Sequence, residues 1–166
     1  MPLRALLIAS AAMLCGSCSY YTDIAVGVLN GRLAFASLDG DFECVANINV
    51  STDEEARPVA GPGDSEGLVK NGGAYWWTHS PVTECTTKFP VIYSRLVSTS
   101  RPHVTAKPLQ IGVVYDVHTQ GHGAYGTGRF RIRPDRRIEN LPYPWESDAD
   151  ASRRLERIRQ KFGSDS

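Results

Sequence analysis

The sequence lacks a long hydrophobic run. Its longest, Ala5 to Leu14, has ten residues, about half of what a membrane-spanning helix needs. It also lacks net charge, with 18 Lys and Arg against 18 Asp and Glu. A general nucleic-acid binder needs a basic surface to displace counterions, so that class is excluded. The metalloprotease motif H-E-x-x-H is missing. Cysteine is scarce, with four residues. What is present is an ordinary composition, 42% hydrophobic and 22% charged over 166 residues, enough for one domain with a real core.

Residues 1 to 18 have the three zones of an export signal. Met1 to Arg4 carry the positive end, Ala5 to Leu14 the apolar segment, and Cys15-Gly16-Ser17-Cys18 the small-residue zone. Ala9-Ser10-Ala11 offers an A-x-A site for ordinary signal peptidase. Gly16-Ser17-Cys18 resembles the lipobox of bacterial lipoproteins, in which small residues precede a Cys that is lipidated and becomes the new N-terminus. The resemblance covers these few residues alone, and Cys15 stands where that family usually has an aliphatic side chain. It implies a lipid anchor on Cys18 and an envelope protein held at the membrane, facing the periplasm. A secreted or soluble periplasmic chain is the alternative.

Cys15 and Cys18 therefore belong to the signal zone, which leaves Cys44 and Cys85 as a pair. Exported compartments are oxidising, so a Cys44–Cys85 disulfide is expected. With no further Cys-x-x-Cys pair, these two do not assemble a structural zinc site.

Beyond the signal, the pattern is β. Alternation in 23–38 about Asn30-Gly31 predicts a hairpin with a type I′ turn. Cys44 to Val50 alternates as a strand, and residues 51–73 read as a long surface loop. Ala74 to Thr78 is an aromatic strand, and the strand after Phe89 starts at Pro90 or lies on an edge. Val104 to Leu109, Ile111 to Thr119 and Thr127 to Arg133 follow, with a Gly-rich turn at 120–126. The sum is an all-β domain, sandwich-like or an open barrel of about seven or eight strands over 19–134, without an internal helix. Residues 135–166 add an extended Pro/Trp segment and one C-terminal amphipathic helix. Ser147 is its N-cap, Gly163 its C′ residue, and Ala151, Leu155, Ile158 and Phe162 its apolar stripe. Arg153, Arg154, Arg157, Arg159 and Lys161 fall on the other face.

Four constellations are candidates for function. Gly121-His-Gly-Ala-Tyr-Gly126 matches G-x-G-x-x-G, but a strand follows it, so it reads as a turn rather than a dinucleotide site. His118 and His122, with Asp116, are weak metal-ligand candidates, and His79 and His103 could join them. Arg129, Arg131 and Arg133 form a ladder that would suit an anionic surface, unless it is simply solvated or paired with acids of the 39–55 region. Asp39, Asp41 and Glu43 cluster, without evidence of a cleft.

The expectation is a small envelope protein with a binding or structural role, not an enzyme, without a cofactor. Its partners would be the membrane through its anchor and an envelope protein or polymer. The alternatives are a periplasmic metal-dependent hydrolase using His118 and His122, and a secreted inhibitor or immunity-type module.

Overall fold

The computed structural model describes residues 20–40, 44–81, 85–97 and 102–163. Residues 1–19, with Cys15 and Cys18 and the expected signal, lie outside the described residues, as do Asp41 and Glu43. The domain is a curled, mixed half-barrel of eight strands with one C-terminal helix. Its strands are β1 (Tyr20–Leu29), β2 (Arg32–Ser37), β3 (Asn47–Ser51), β4 (Ala74–His79), β5 (Val91–Ile92), β6 (Val114–Gly121), β7 (Ala124–Ile132) and β8 (Ile138–Asn140). They are ordered β4-β3-β6-β7-β1-β2-β5, with β8 paired to β7.

The first hairpin forms as expected. Asn30 and Gly31 adopt φ of 51° and 72°, and β1 and β2 pair antiparallel from Leu29↔Arg32 to Ile24↔Ser37. β1 also does something local pattern does not reveal. Its first residues, Tyr20 to Asp23, pair in parallel with Ala124 to Thr127 of β7. One strand thus joins the β4-β3-β6-β7 layer to the β2-β5 layer. Where β1 leaves β7, the Asn140 side chain replaces the ladder, accepting from Val26 N at 2.9 Å and donating to Val26 O at 2.7 Å.

The core lies within the curl. Ile48 and Val50 of β3, Tyr75 and Trp76 of β4, Tyr115 and Val117 of β6 and Phe130 of β7 all point into it, with Phe35 from β2. Of the two adjacent tryptophans, Trp76 is buried and stacks on Phe35 with centroids 6.2 Å apart. Trp77 faces the other side of the sheet, as alternation requires. β5 begins immediately after Pro90 and forms the sheet's edge beside β2.

Four expectations change. Residues 51–73 are not all loop, since α1 (Glu66–Lys70) buries Val69 against Ala74 and Val104. Val104 to Leu109 is not a strand, because Val104 makes only an isolated bridge to Trp77. The sheet runs past residue 134, since β8 adds to β7. Finally, in α2 (Asp148–Phe162) Arg154 is 4% exposed and lies on the inner face with Ala151 and Ile158. The helix ends form as the sequence indicates, with Ser147 Oγ accepting from Asp150 N and Gly163 at φ 83°.

Candidate functional site

The best-defined chemical feature is the end of the barrel where β3 begins and the β6–β7 hairpin turns. Cys44 and Cys85 are bonded there, with Cα atoms 5.6 Å apart. The bridge closes a separation of 41 residues, a constraint worth about 4 kcal/mol in the chain-entropy model. Backbone bonds hold the same pieces together independently. Val45 N donates to Thr87 O at 2.7 Å, and Ala46 N donates to Gln120 O at 2.8 Å. Such a bridge points to an oxidising, exported environment.

The hairpin at this end is tighter than the Gly-rich turn expected over 120–126. Only His122 and Gly123 connect β6 to β7, with Gly123 at φ 68°. Gly126 sits inside β7, where a Cβ would come within 2.5 Å of Thr119 Oγ1 and 2.6 Å of Ile24 Cδ1. The glycine motif therefore serves a turn and a close packing contact, not a pyrophosphate.

The turn places His122 beside the disulfide. One ring nitrogen of His122 and the two Sγ atoms all lie within 4.8 Å of one another. His118 is elsewhere. It occupies the outer face of β6, in register between Asn49 of β3 and Thr127 of β7. Three strand steps of about 3.3 Å and the turn separate the two histidines, so the structure does not bring them to one site. His79 and His103 pair with each other instead, their rings stacked at 4.1 Å and 9°. Burial, and then the neighbouring His79, lower the pKa of His103.

The arginine ladder is occupied by acids, though not those of the 39–55 region. Arg129 meets Asp116 across the β6–β7 pair at 3.4 Å, Arg131 meets Glu139 at 2.7 Å and Arg133 approaches Asp135 at 3.7 Å. Burial raises the Asp116 carboxyl pKa, with Arg129 opposing. Exposure increases along the ladder, from 25% at Arg129 to 54% at Arg133. The ladder then opens into a groove of about 360 Å³ between β8 and α2, where Arg133, Arg137 and Arg159 line one space with Ile158 beneath. Arg137 shares Asp135 with Arg133 at the same 3.7 Å. Asp39, the described member of the acidic cluster, accepts from Thr22 Oγ1 at 2.9 Å and pairs with Arg157 at 2.5 Å, so it fastens α2 to β1.

Two polar centres have no counterpart in the sequence reading. Asp64 accepts from Gly61 N, Thr105 N and Thr105 Oγ1 and pairs with Lys107, its side chain 1% exposed. Arg154 is clamped by Glu146 beneath α2. The spacing of Ala151, Arg154 and Ile158, three and then four residues, could have placed Arg154 on the stripe. No local signal brings His122 to residues 44 and 85.

No family model matches the chain, and neither a curated protein nor a solved structure matches it. No helix among the described residues is long and apolar enough to cross a membrane.

Proposed function

We propose that the protein is an exported envelope protein, lipid-anchored through Cys18, whose β domain binds or supports an anionic component of the envelope and catalyses nothing. The observation that carries this reading is the Cys44–Cys85 bridge, which suits a chain that matures outside the reducing cytosol. The lipobox-like Gly16-Ser17-Cys18 supplies the tether. The groove lined by Arg133, Arg137 and Arg159 supplies a binding surface suited to an anion-rich partner.

Mass spectrometry of the mature N-terminus tests the tether. A diacylglyceryl mass on Cys18, lost in Cys18→Ala together with membrane fractionation, is the expected result. An unmodified chain beginning at Ala12 overturns it.

A further inference from the structure

We propose that Cys44, Cys85 and His122 form a redox-gated site for a thiophilic metal ion, closed as the disulfide and opened by a dithiol reductant. The juxtaposition that carries this is the clustering of three soft or borderline donor atoms within 4.8 Å of one another, contributed by three separate segments. Nothing in the chain order predicts it.

The site is held by the fold as well as by the bridge. Gly123 O accepts from Tyr20 N at 3.0 Å, which pins the hairpin tip bearing His122. The Ala46–Gln120 bond ties the segment after Cys44 to the same hairpin, and the Val45–Thr87 bond ties it to the segment after Cys85. All of these bonds remain available when the sulfurs part. Two thiolates on one tetrahedral metal stand roughly 3.8 Å apart, given metal–sulfur bonds of about 2.3 Å. With the Cα atoms 5.6 Å apart, side-chain rotation alone achieves that separation.

The chemistry balances without any group the chain lacks except the reductant and the ion. An external dithiol gives two electrons and two protons. The Cys44–Cys85 bond breaks, both sulfurs become thiols, and the reductant becomes a disulfide. The metal then displaces both thiol protons and takes the lone pair of a neutral His122 nitrogen. Two thiolates and one imidazole favour soft ions such as Cu(I), and Zn(II) with solvent as its fourth ligand. Access is open, because His122 is exposed and Cys85 partly so.

This site does not depend on the lipid anchor, so either can fail alone. The test uses the full chain, reduced with a dithiol, freed of it without oxygen, and titrated with Cu(I) against a chromophoric Cu(I) chelator. The expected result is one Cu(I) per reduced chain and none per oxidised chain. X-ray absorption should count two sulfurs and one nitrogen around copper. His122→Ala and His122→Gln should each weaken binding at least tenfold while leaving the disulfide and the circular dichroism of the oxidised form intact. Equal affinity in the His122 variants overturns the site, as does a copper environment of sulfur alone. A reduced chain that loses its β spectrum, or binds no Cu(I), overturns it as well.

Discussion

Arg154 lies over the ring of Tyr143, its guanidinium carbon 4.3 Å from the centroid, and so fastens the C-terminal helix to the segment that precedes it. The same guanidinium donates to both carboxylate oxygens of Glu146, at 3.0 and 2.9 Å, and to Leu141 O at 2.8 Å. Tyr143 in turn donates to Thr127 O at 2.6 Å, in the middle of β7. A chain of directed contacts therefore runs from helix to tail to sheet. Breaking a buried pair leaves its partner uncompensated, at a cost of about 3 kcal/mol or more. Arg154→Ala should lower the unfolding free energy by that amount, read as a fall in the urea midpoint at unchanged slope. Arg154→Lys should recover only part of it, since an ammonium cannot keep the fork on Glu146 while covering the Tyr143 ring. Equal midpoints for the wild type and Arg154→Ala would show that α2 is held by its apolar contacts alone.

Asp64 makes a different kind of anchor. Burial works to raise its carboxyl pKa, but the hydrogen bonds from Lys107, Thr105 and Gly61 outweigh burial and hold the group well below the usual carboxylate range. A carboxylate depressed in the folded state contributes stability that is complete above its unfolded pKa, about 3.9, and is lost as pH falls below it. Asp64→Asn should cost about 2 kcal/mol at pH 7, the scale of hydrogen bonds to a charged group. The gap between variant and wild type should shrink steadily as pH falls below about 4. Denaturant midpoints at pH 7 and pH 2.5 check both the size and the sign. A gap that does not change with pH would assign the effect to shape rather than to charge.

Gly128 reports on the way β1 crosses β7. In an ordinary strand interior, alanine is preferred to glycine by about 0.5 to 1 kcal/mol. Here a Cβ would run into the backbone carbonyl of Ile24 and would meet Val117 Cγ1 at 2.9 Å. Backbone cannot rotate aside as a side chain can. Gly128→Ala should therefore destabilise by roughly 1 to 3 kcal/mol, the scale of overpacking. Thermal unfolding measures it, and a stabilised variant would contradict the β1–β7 junction described above.

These junctions separate what the sequence shows from what it hides. Asn30-Gly31, Ser147 and Gly163 act within a few residues of themselves, so the first hairpin and α2 are legible from pattern alone. The Cys44–Cys85 bridge is legible for another reason, since setting aside Cys15 and Cys18 next to the apolar N-terminal run leaves one pairing. The parallel contact of Tyr20–Asp23 with β7 is a long-range choice that no periodicity encodes. Arg154 was hidden because charge suggests an outward face, and only the Glu146 carboxylate and the Tyr143 ring make an inward one tolerable. His118 and His122 look like partners because they are four apart, yet a strand carries them away from each other. His122 and Cys44 look unrelated because they are 78 positions apart, yet the hairpin tip meets the start of β3.

The arginines allow a prediction that distinguishes positions the sequence treats alike. Arg129 and Arg131 sit against Asp116 and Glu139, so their charge is spent within the sheet. Arg133 and Arg137 share Asp135 at 3.7 Å from each, and with Arg159, paired to Glu156 at 2.6 Å but as solvent-exposed as they are, they face a common groove. If the domain engages an anionic envelope surface, the groove set should matter more than the inner pair. Near an anionic membrane each exposed basic side chain contributes about 1 kcal/mol. Replacing Arg133, Arg137 and Arg159 together by Ala should thus weaken retention on anionic vesicles on the order of 100-fold at low salt. Arg129→Ala with Arg131→Ala should change retention less and stability more, because it strands Asp116 and Glu139. Raising ionic strength should erase the wild-type advantage, as screening requires. Vesicle co-sedimentation across a salt series reads all of these outcomes. Retention that is unchanged in the groove variant would leave the anionic-surface reading without support and return these arginines to ordinary solvated positions.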